Sequence, residues 1–232
     1  MQPQIQSQST VFIPPLPSTA SRLPAPRSNV SNRAVIYDPV ENRLKVAESA
    51  LERKVFLVLR ARPDILLIED QPPAVQYLDA LGDERTHHFD FRVTLQTGKK
   101  IAVAVKPFAI AQRRNLKSTL ALIAARLPQG YSDRVTLITD RDLHGDVLYN
   151  AELIHSCRRN PNPNIEQQIR EILSNTHGAV RIEDLVKQTG HAGMAFRAVV
   201  HLIALGELEL SESTRIIHSA RIRVANTLGG AR

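Results

Sequence analysis

From Phe89 to Leu95 the chain alternates. Phe89, Phe91, Val93 and Leu95 fall on one side, and Asp90, Arg92 and Thr94 on the other, the period of two shown by a half-buried strand. After Thr97-Gly98 the pattern resumes, with Ile101, Val103 and Val105 sharing a face opposite Ala102, Ala104 and Lys106. The two runs read as a hairpin whose loop length decides which side chains meet. A two-residue Thr97-Gly98 loop sets Asp90 against Val105 and sends Lys106 to the other side of the sheet. A three-residue loop, Thr97 to Lys99 with Gly98 left-handed, sets Asp90 against Lys106 on one face, and this register is expected.

Upstream, apolar residues at Ala47, Leu51, Val55, Val58 and Leu59 predict a helix over Lys45–Arg60, ended by Pro63-Asp64. Glu48 and Glu52 lie one turn apart on the border of that stripe. Ile65–Glu69 reads as a buried strand, separated by Pro72-Pro73 from a second near Ala74–Leu78. Beyond the hairpin, Phe108–Leu127 predicts a helix with a basic flank of Arg113, Arg114 and Lys117. Arg134–Thr139 predicts a strand reached by crossover, and Asp142–Cys157 another helix. The order defines an α/β fold, a mixed sheet flanked by helices over residues 34–157.

Arg158–Asn164 (RRNPNPN) reads as a linker. After it come helices at Ile165–Asn175, Ile182–Gln188 and Gly193–Leu205, then candidate strands at Glu207–Leu210 and Arg215–Ser219. Helix, helix, helix, ribbon is the plan of a small winged helix-turn-helix domain over residues 165–232. Its third helix offers only Arg197, His191 and His201 as polar reach, so phosphate contact falls to Arg215, Arg221 and Arg223. Residues 1–33 are rich in Gln, Ser and Pro and read as a flexible arm, with a docking motif at Val11, Phe12 and Ile13 as the functional alternative.

Composition narrows the class. The 232 residues are 43% hydrophobic with a net charge of +7, which suits a polyanionic partner. One cysteine, Cys157, supplies neither a disulfide nor a zinc cluster, which points to a reducing cytoplasm. No apolar run reaches membrane-spanning length, and the N-terminus lacks a secretory pattern.

The chemistry follows from the hairpin. Phosphodiester cleavage needs a hard divalent cation on oxygen ligands, an activated water and a cation to offset charge on the phosphate. Glu52 from the helix and Asp90 from the strand are the candidate ligands for Mg²⁺, with Mn²⁺ as a substitute, and Lys106 is the candidate catalytic cation. At Ala104, two residues before the lysine, such sites usually carry an acid.

Glu48-Ser49-x-x-Glu52, Glu69-Asp70-Gln71-Pro72, His88-Phe89-Asp90-Phe91 and Val103-Ala104-Val105-Lys106-Pro107, in this order, resemble the TnsA family of heteromeric-transposase endonucleases. The resemblance runs from about Ala34 to the C-terminus. It implies a restriction-endonuclease-like domain of the PD-(D/E)xK class followed by a winged helix. It also implies Mg²⁺-dependent nicking of double-stranded DNA at transposon ends, beside a DDE-type transposase and an AAA+ ATPase regulator. Carried over residue by residue, Glu52 is the helix acid, Asp90 the central metal ligand and Lys106 the catalytic lysine, while Ala104 stands where the family has Glu or Gln. Three explanations of Ala104 stay open: a deliberately inactivated nuclease, a ligand supplied by Gln112, Gln71 or His88, and a natural pseudonuclease. A winged-helix regulator and a pure assembly adaptor are the rival classes.

Overall fold

The computed structural model describes residues 13–21, 34–176 and 178–225. A hairpin of β1 (Ala34–Asp38) and β2 (Arg43–Ala47) opens the body, turning at Asn42 with φ +45°. Helix α1 spans Ala50–Ala61, so the helix predicted from Lys45 starts later. Ser49 is the reason: its hydroxyl caps the Glu52 N–H, while Lys45–Ala47 is committed to β2. Strand β3 (Ile65–Asp70) follows, then a separate two-stranded ribbon of β4 (Val75–Leu78) and β5 (Glu84–His87). Strands β1, β2 and β5 have no counterpart among the predicted elements. In β5 the run Glu-Arg-Thr-His is largely exposed and carries no apolar alternation to betray it.

The site hairpin is β6 (Phe91–Leu95) and β7 (Lys100–Val105). The helix predicted over Phe108–Leu127 is broken into α2 (Phe108–Arg113) and α3 (Leu116–Ala124) by Asn115, which adopts φ +45°. Strand β8 (Arg134–Ile138) and a 3₁₀ turn at Asp140–Asp142 lead into α4 (Gly145–Arg158). The main sheet has the order β3-β6-β7-β8, antiparallel except for the parallel β7–β8 pair, so the α/β fold with a mixed sheet holds. Helices α1 and α4 line one face over Phe56, Ile68, Phe91, Val93, Val103 and Val105. Helix α3 covers the other, where Leu120 and Ile123 pack on Ala102, Ala104 and Phe89. Phe89 therefore faces away from Phe91 and Val93, against the strict alternation predicted, because the regular strand begins only after Asp90.

The predicted linker is shorter than Arg158–Asn164, since Arg158 closes α4 and Pro163 opens α5 (Pro163–Ser174), capped by Asn162. Then come β9 (Val180–Arg181), α6 (Ile182–Thr189), α7 (Ala192–Leu205), β10 (Leu208–Leu210) and β11 (Arg221–Val224). The second ribbon strand is thus Arg221–Val224, not Arg215–Ser219. Asn150 of α4 accepts the Ile216 N–H and donates to the Thr214 carbonyl, which pins the predicted segment outside the sheet. Ile154 and Cys157 of α4 also enter the core beneath α5, α6 and α7, so one helix serves two hydrophobic clusters.

Part of the arm is docked. Leu16 bridges to Arg43 on the edge of β2, and the Ser21 N–H and hydroxyl both donate to the Gln71 carbonyl. Ser18 donates to the Asp70 carboxylate at 2.5 Å. Val11 and Phe12, the candidate docking motif, lie outside the described residues, while Ile13 is exposed. No helix among the described residues is long and apolar enough to cross a membrane.

A buried charge cluster ties these parts together. Arg60, 2% exposed, meets Asp38 at 2.6 Å and also Glu41; Glu41 in turn receives Lys45 Nζ at 2.7 Å and the Ile68 N–H. Burial raises the Asp38 pKa although Arg60 pulls it down. Removing one member strands the others without water. Arg60→Met should cost about 3–5 kcal/mol, seen as a lower urea midpoint at unchanged slope, and adding Asp38→Asn should recover part of it.

Candidate active site

The hairpin loop has the three-residue length expected, but it is Gln96-Thr97-Gly98 rather than Thr97 to Lys99. Leu95 N–H donates to the Lys99 carbonyl at 2.8 Å, and Gly98 takes φ +81°. The ladder therefore ends with Phe91 opposite Val103, and Asp90, whose N–H donates to the same Val103 carbonyl, lies outside the regular pairing and not opposite Lys106. Both expected registers fail in detail. The two side chains still approach each other across the end of the hairpin.

Three bonds fix Asp90. Its N–H donates to the Val103 carbonyl at 3.0 Å, its carbonyl accepts the Gln71 N–H, and its Oδ2 accepts the Val105 N–H at 2.6 Å. The carboxylate thus continues the ladder where the backbone pairing of β6 with β7 stops. The other oxygen, Oδ1, lies 4.0 Å from Lys106 Nζ. Burial pushes the Asp90 pKa up to about 7; Lys106 pulls it back, the Glu52 charge adds to the rise, and the Val105 bond lowers it. The structure so brings Asp90 and Lys106 together with Glu52 in electrostatic reach.

Glu52 is buried, and both of its oxygens are occupied. Oε2 accepts the Glu48 N–H at 2.6 Å, and Oε1 accepts the Ser49 hydroxyl at 2.9 Å. This is a reciprocal cap on α1, built by the Ser49-x-x-Glu52 spacing. Ala104 presents a methyl group packed under α3. Asp90 Oδ1 is then the one carboxylate oxygen among Glu52, Asp90 and Ala104 without a hydrogen bond among the described residues. Among the described residues no three His, Cys, Asp or Glu side chains converge to hold a metal. Mg²⁺ accepts as few as one or two carboxylates when waters and phosphate fill the rest, but the oxygens available here fall short of a fitted ion site.

The three proposed substitutes for the missing acid are scattered. Gln112 and His88 are exposed, and Gln112 lines a separate groove. Gln71 is buried behind Asp90 at φ +45°, and its Nε2 has no hydrogen-bond partner among the described residues. His87, which the sequence reading passed over for His88, stands at the end of β5 with its ring edge-on to Phe89 at 4.6 Å. Burial, aided by the Lys106 and His88 charges, lowers its pKa to about 4, so it is a neutral imidazole beside the lysine. Only the unseen strand β5 could have singled it out.

The candidate DNA contacts divide into two groups. Arg113, Arg114 and Lys117 are exposed around the α2–α3 break, with no carboxylate partner among the described residues. In the C-terminal unit, Arg215 is bound to Asp146 at 2.6 Å, Arg223 to Glu209 at 2.6 Å, and Arg197 to the Ser156 carbonyl. His201 sits 2.9 Å from Glu166, and Arg221 is exposed at the start of β11 opposite Arg181.

No protein-family model matches the chain, and no curated protein matches it.

The Asp90 environment sets a pH dependence. Between the ordinary 3.8 and about 7, the folded chain keeps a proton that the unfolded chain has released. The contribution is complete at low pH and is lost as pH rises through 7, with a slope of up to about 1.4 kcal/mol per pH unit. Asp90→Asn should remove this slope from urea-derived stabilities, and Lys106→Met should move the Asp90 carboxyl midpoint, followed by NMR, above that of the parent.

Proposed function

We propose that this chain is a TnsA-like subunit of a DNA-transposition assembly: a restriction-endonuclease-like domain and a winged helix that hold double-stranded DNA at transposon ends, with the cutting centre impaired at Ala104. The observation that carries the reading is the meeting of Asp90 and Lys106 at the fork of β6 and β7, 4.0 Å apart. A carboxylate at the head of one strand beside a lysine at the end of its neighbour is an arrangement suited to in-line attack on a phosphodiester. The mixed sheet with helices on both faces, and the three helices plus ribbon after it, support the two domain assignments.

The residues' own roles follow without an ion. Lys106 supplies positive charge where a scissile phosphate would lie. Asp90, held by Val105, keeps one oxygen directed at that lysine. Glu52 contributes negative charge and closes the end of α1. Mg²⁺, with Mn²⁺ in its place, belongs to this reading as the ion that a restored acid at position 104 would help to hold. The DDE transposase and the AAA+ ATPase regulator are its partners.

A second reading is an adaptor that keeps the nuclease scaffold and bridges transposition partners without cutting. The commitment of both Glu52 oxygens to capping favours it.

Ala104→Glu separates the two. A second carboxylate in this buried position should cost about 1–3 kcal/mol without divalent ions and regain it in Mg²⁺ or Mn²⁺, read as a thermal shift. Incubated with duplex ends and the transposase partner, a disabled nuclease gains cleavage only in the glutamate variant. Cleavage by the parent as well means a complete ligand set, and cleavage by neither leaves the adaptor.

DNA affinity supplies a further check. Removing Arg113, Arg114 and Lys117 together should flatten the dependence of log K on log salt by about 2–3, whereas removing Arg215 and Arg223, already neutralised, should change it little. Equal effects from both sets would move the interface to the C-terminal unit.

A further inference from the structure

A large cavity lies away from Asp90. It is a groove of about 700 Å³ between α2–α3 and β8, floored by Phe108, Leu120, Ala121, Val135 and Leu137. Strand β8 is the last in the main sheet. It pairs with β7 on one side and, among the described residues, with nothing on the other. Val135 and Leu137 stand opposite Ala102 and Ala104 on the α3 face, whereas Thr136 stands opposite Val103 on the reverse face. All three line the groove, so it reaches over the strand edge and opens the unpaired β8 backbone to it.

The charges at the groove differ in how they are held. The acid among its lining residues, Asp142, is exposed but engaged locally, with Oδ2 accepting the Thr139 N–H and hydroxyl at 2.7 Å each. Nearby Asp140 likewise accepts the Phe108 N–H. The two cations, Lys117 and Arg141, are exposed and have no carboxylate partner among the described residues; Arg141 is held over the Phe108 ring at 3.6 Å from its centroid. An apolar floor, an open strand edge and unpaired cations favour an extended chain with aliphatic side chains and acidic ends. A second copy paired β8 to β8 would instead bring these cations toward each other.

We propose that the groove docks an extended segment of a partner protein, aliphatic in its centre and acidic at its flanks, added to the main sheet as a strand on β8. The segment's backbone pairs with the free β8 edge, its aliphatic side chains enter the groove over Val135 and Leu137, and its acids meet Lys117 and Arg141. The docking site stands independently of any cleavage chemistry.

The test uses the full chain and an array of nine-residue peptides, aliphatic residues alternating with Thr and Glu at both ends, against the same array with Lys ends. Fluorescence anisotropy should show Glu-ended peptides binding at least about tenfold tighter than their Lys-ended counterparts, and binding should slow amide exchange over residues 134–138. Lys117→Glu with Arg141→Glu should reverse the preference, and Lys117→Glu alone should weaken it by several-fold if the double variant fails to fold. No preference for Glu ends, binding untouched by either variant, or no protection of residues 134–138 would overturn the proposal. A dimer of the chain alone whose contact protects residues 134–138 would also overturn it, by giving the edge to a second copy.

Discussion

Two buried cations organise the body of this protein. Arg60 closes α1, and Lys45 sits mid-strand in β2; neither reaches water, so each must be matched by a carboxylate close by. Asp38 ends β1 and Glu41 occupies the turn between β1 and β2, so satisfying the cations forces that hairpin against α1. Lys45 also donates to the Ile68 carbonyl and Glu41 accepts the Ile68 N–H, which adds β3 to the cluster. The Arg60 carbonyl then receives Arg158, whose other nitrogen reaches the Ala204 carbonyl at 2.6 Å, tying α4 and α7 to the same point. Hydrophobic burial supplies more free energy in total, but it is non-directional. The ion cluster specifies which elements meet.

That placement carries through to the fork of the site hairpin. With α1 fixed against β3, its capped first turn and Glu52 lie where their charge is felt at Asp90. The small side chains of Ala102 and Ala104 have a structural use of their own, because they let Leu120 and Ile123 of α3 close down on the sheet. The lack of a carboxylate at position 104 and a well-filled core on the α3 face are therefore one fact. A carboxylate there would be buried beneath α3, which is costly unless a cation is at hand. In this chain the nearby cation is Lys106, and it moderates a carboxylate whose burial otherwise holds it near neutrality.

The sequence disclosed most where period and turn chemistry act alone. Alternation found β6 and β7, the Pro-bounded apolar run found β3, and helical spacing found α1 and α5 to α7. It misread places where tertiary partners outrank local pattern. Lys45–Ala47 fits a helical stripe but is a strand because Lys45 has a buried anion to meet. Glu84–His87 is polar throughout and forms a strand only by pairing with β4. Arg215–Ser219 looks like a ribbon strand, yet Asn150, distant in sequence, claims its backbone. For the site, the side chains were legible and the register was not: a hairpin loop displaced by one residue changes who stands opposite Asp90, and no composition signal marks that step. The capping role of Glu52 was written in Ser49-x-x-Glu52, but the spacing alone did not tell a helix cap from a metal ligand.

The distribution of charge bears on how the proposed subunit would meet DNA. A net +7 attracts a polyanion without saying where it sits. Arginines already bonded to carboxylates, such as Arg215 and Arg223, add little local field, and to grip a phosphate they must first exchange a short ion pair for it. Arg113, Arg114 and Lys117 face no such exchange. They also lie just downstream of Lys106, with only Pro107 between that lysine and the start of α2. On the proposed reading, phosphates are drawn first to the break between α2 and α3 and from there toward the fork that holds Asp90. The C-terminal unit, its cations largely spent internally, then serves position and partner contact more than grip. On that reading, a third helix so poor in charge is compatible with a subunit that grips DNA elsewhere.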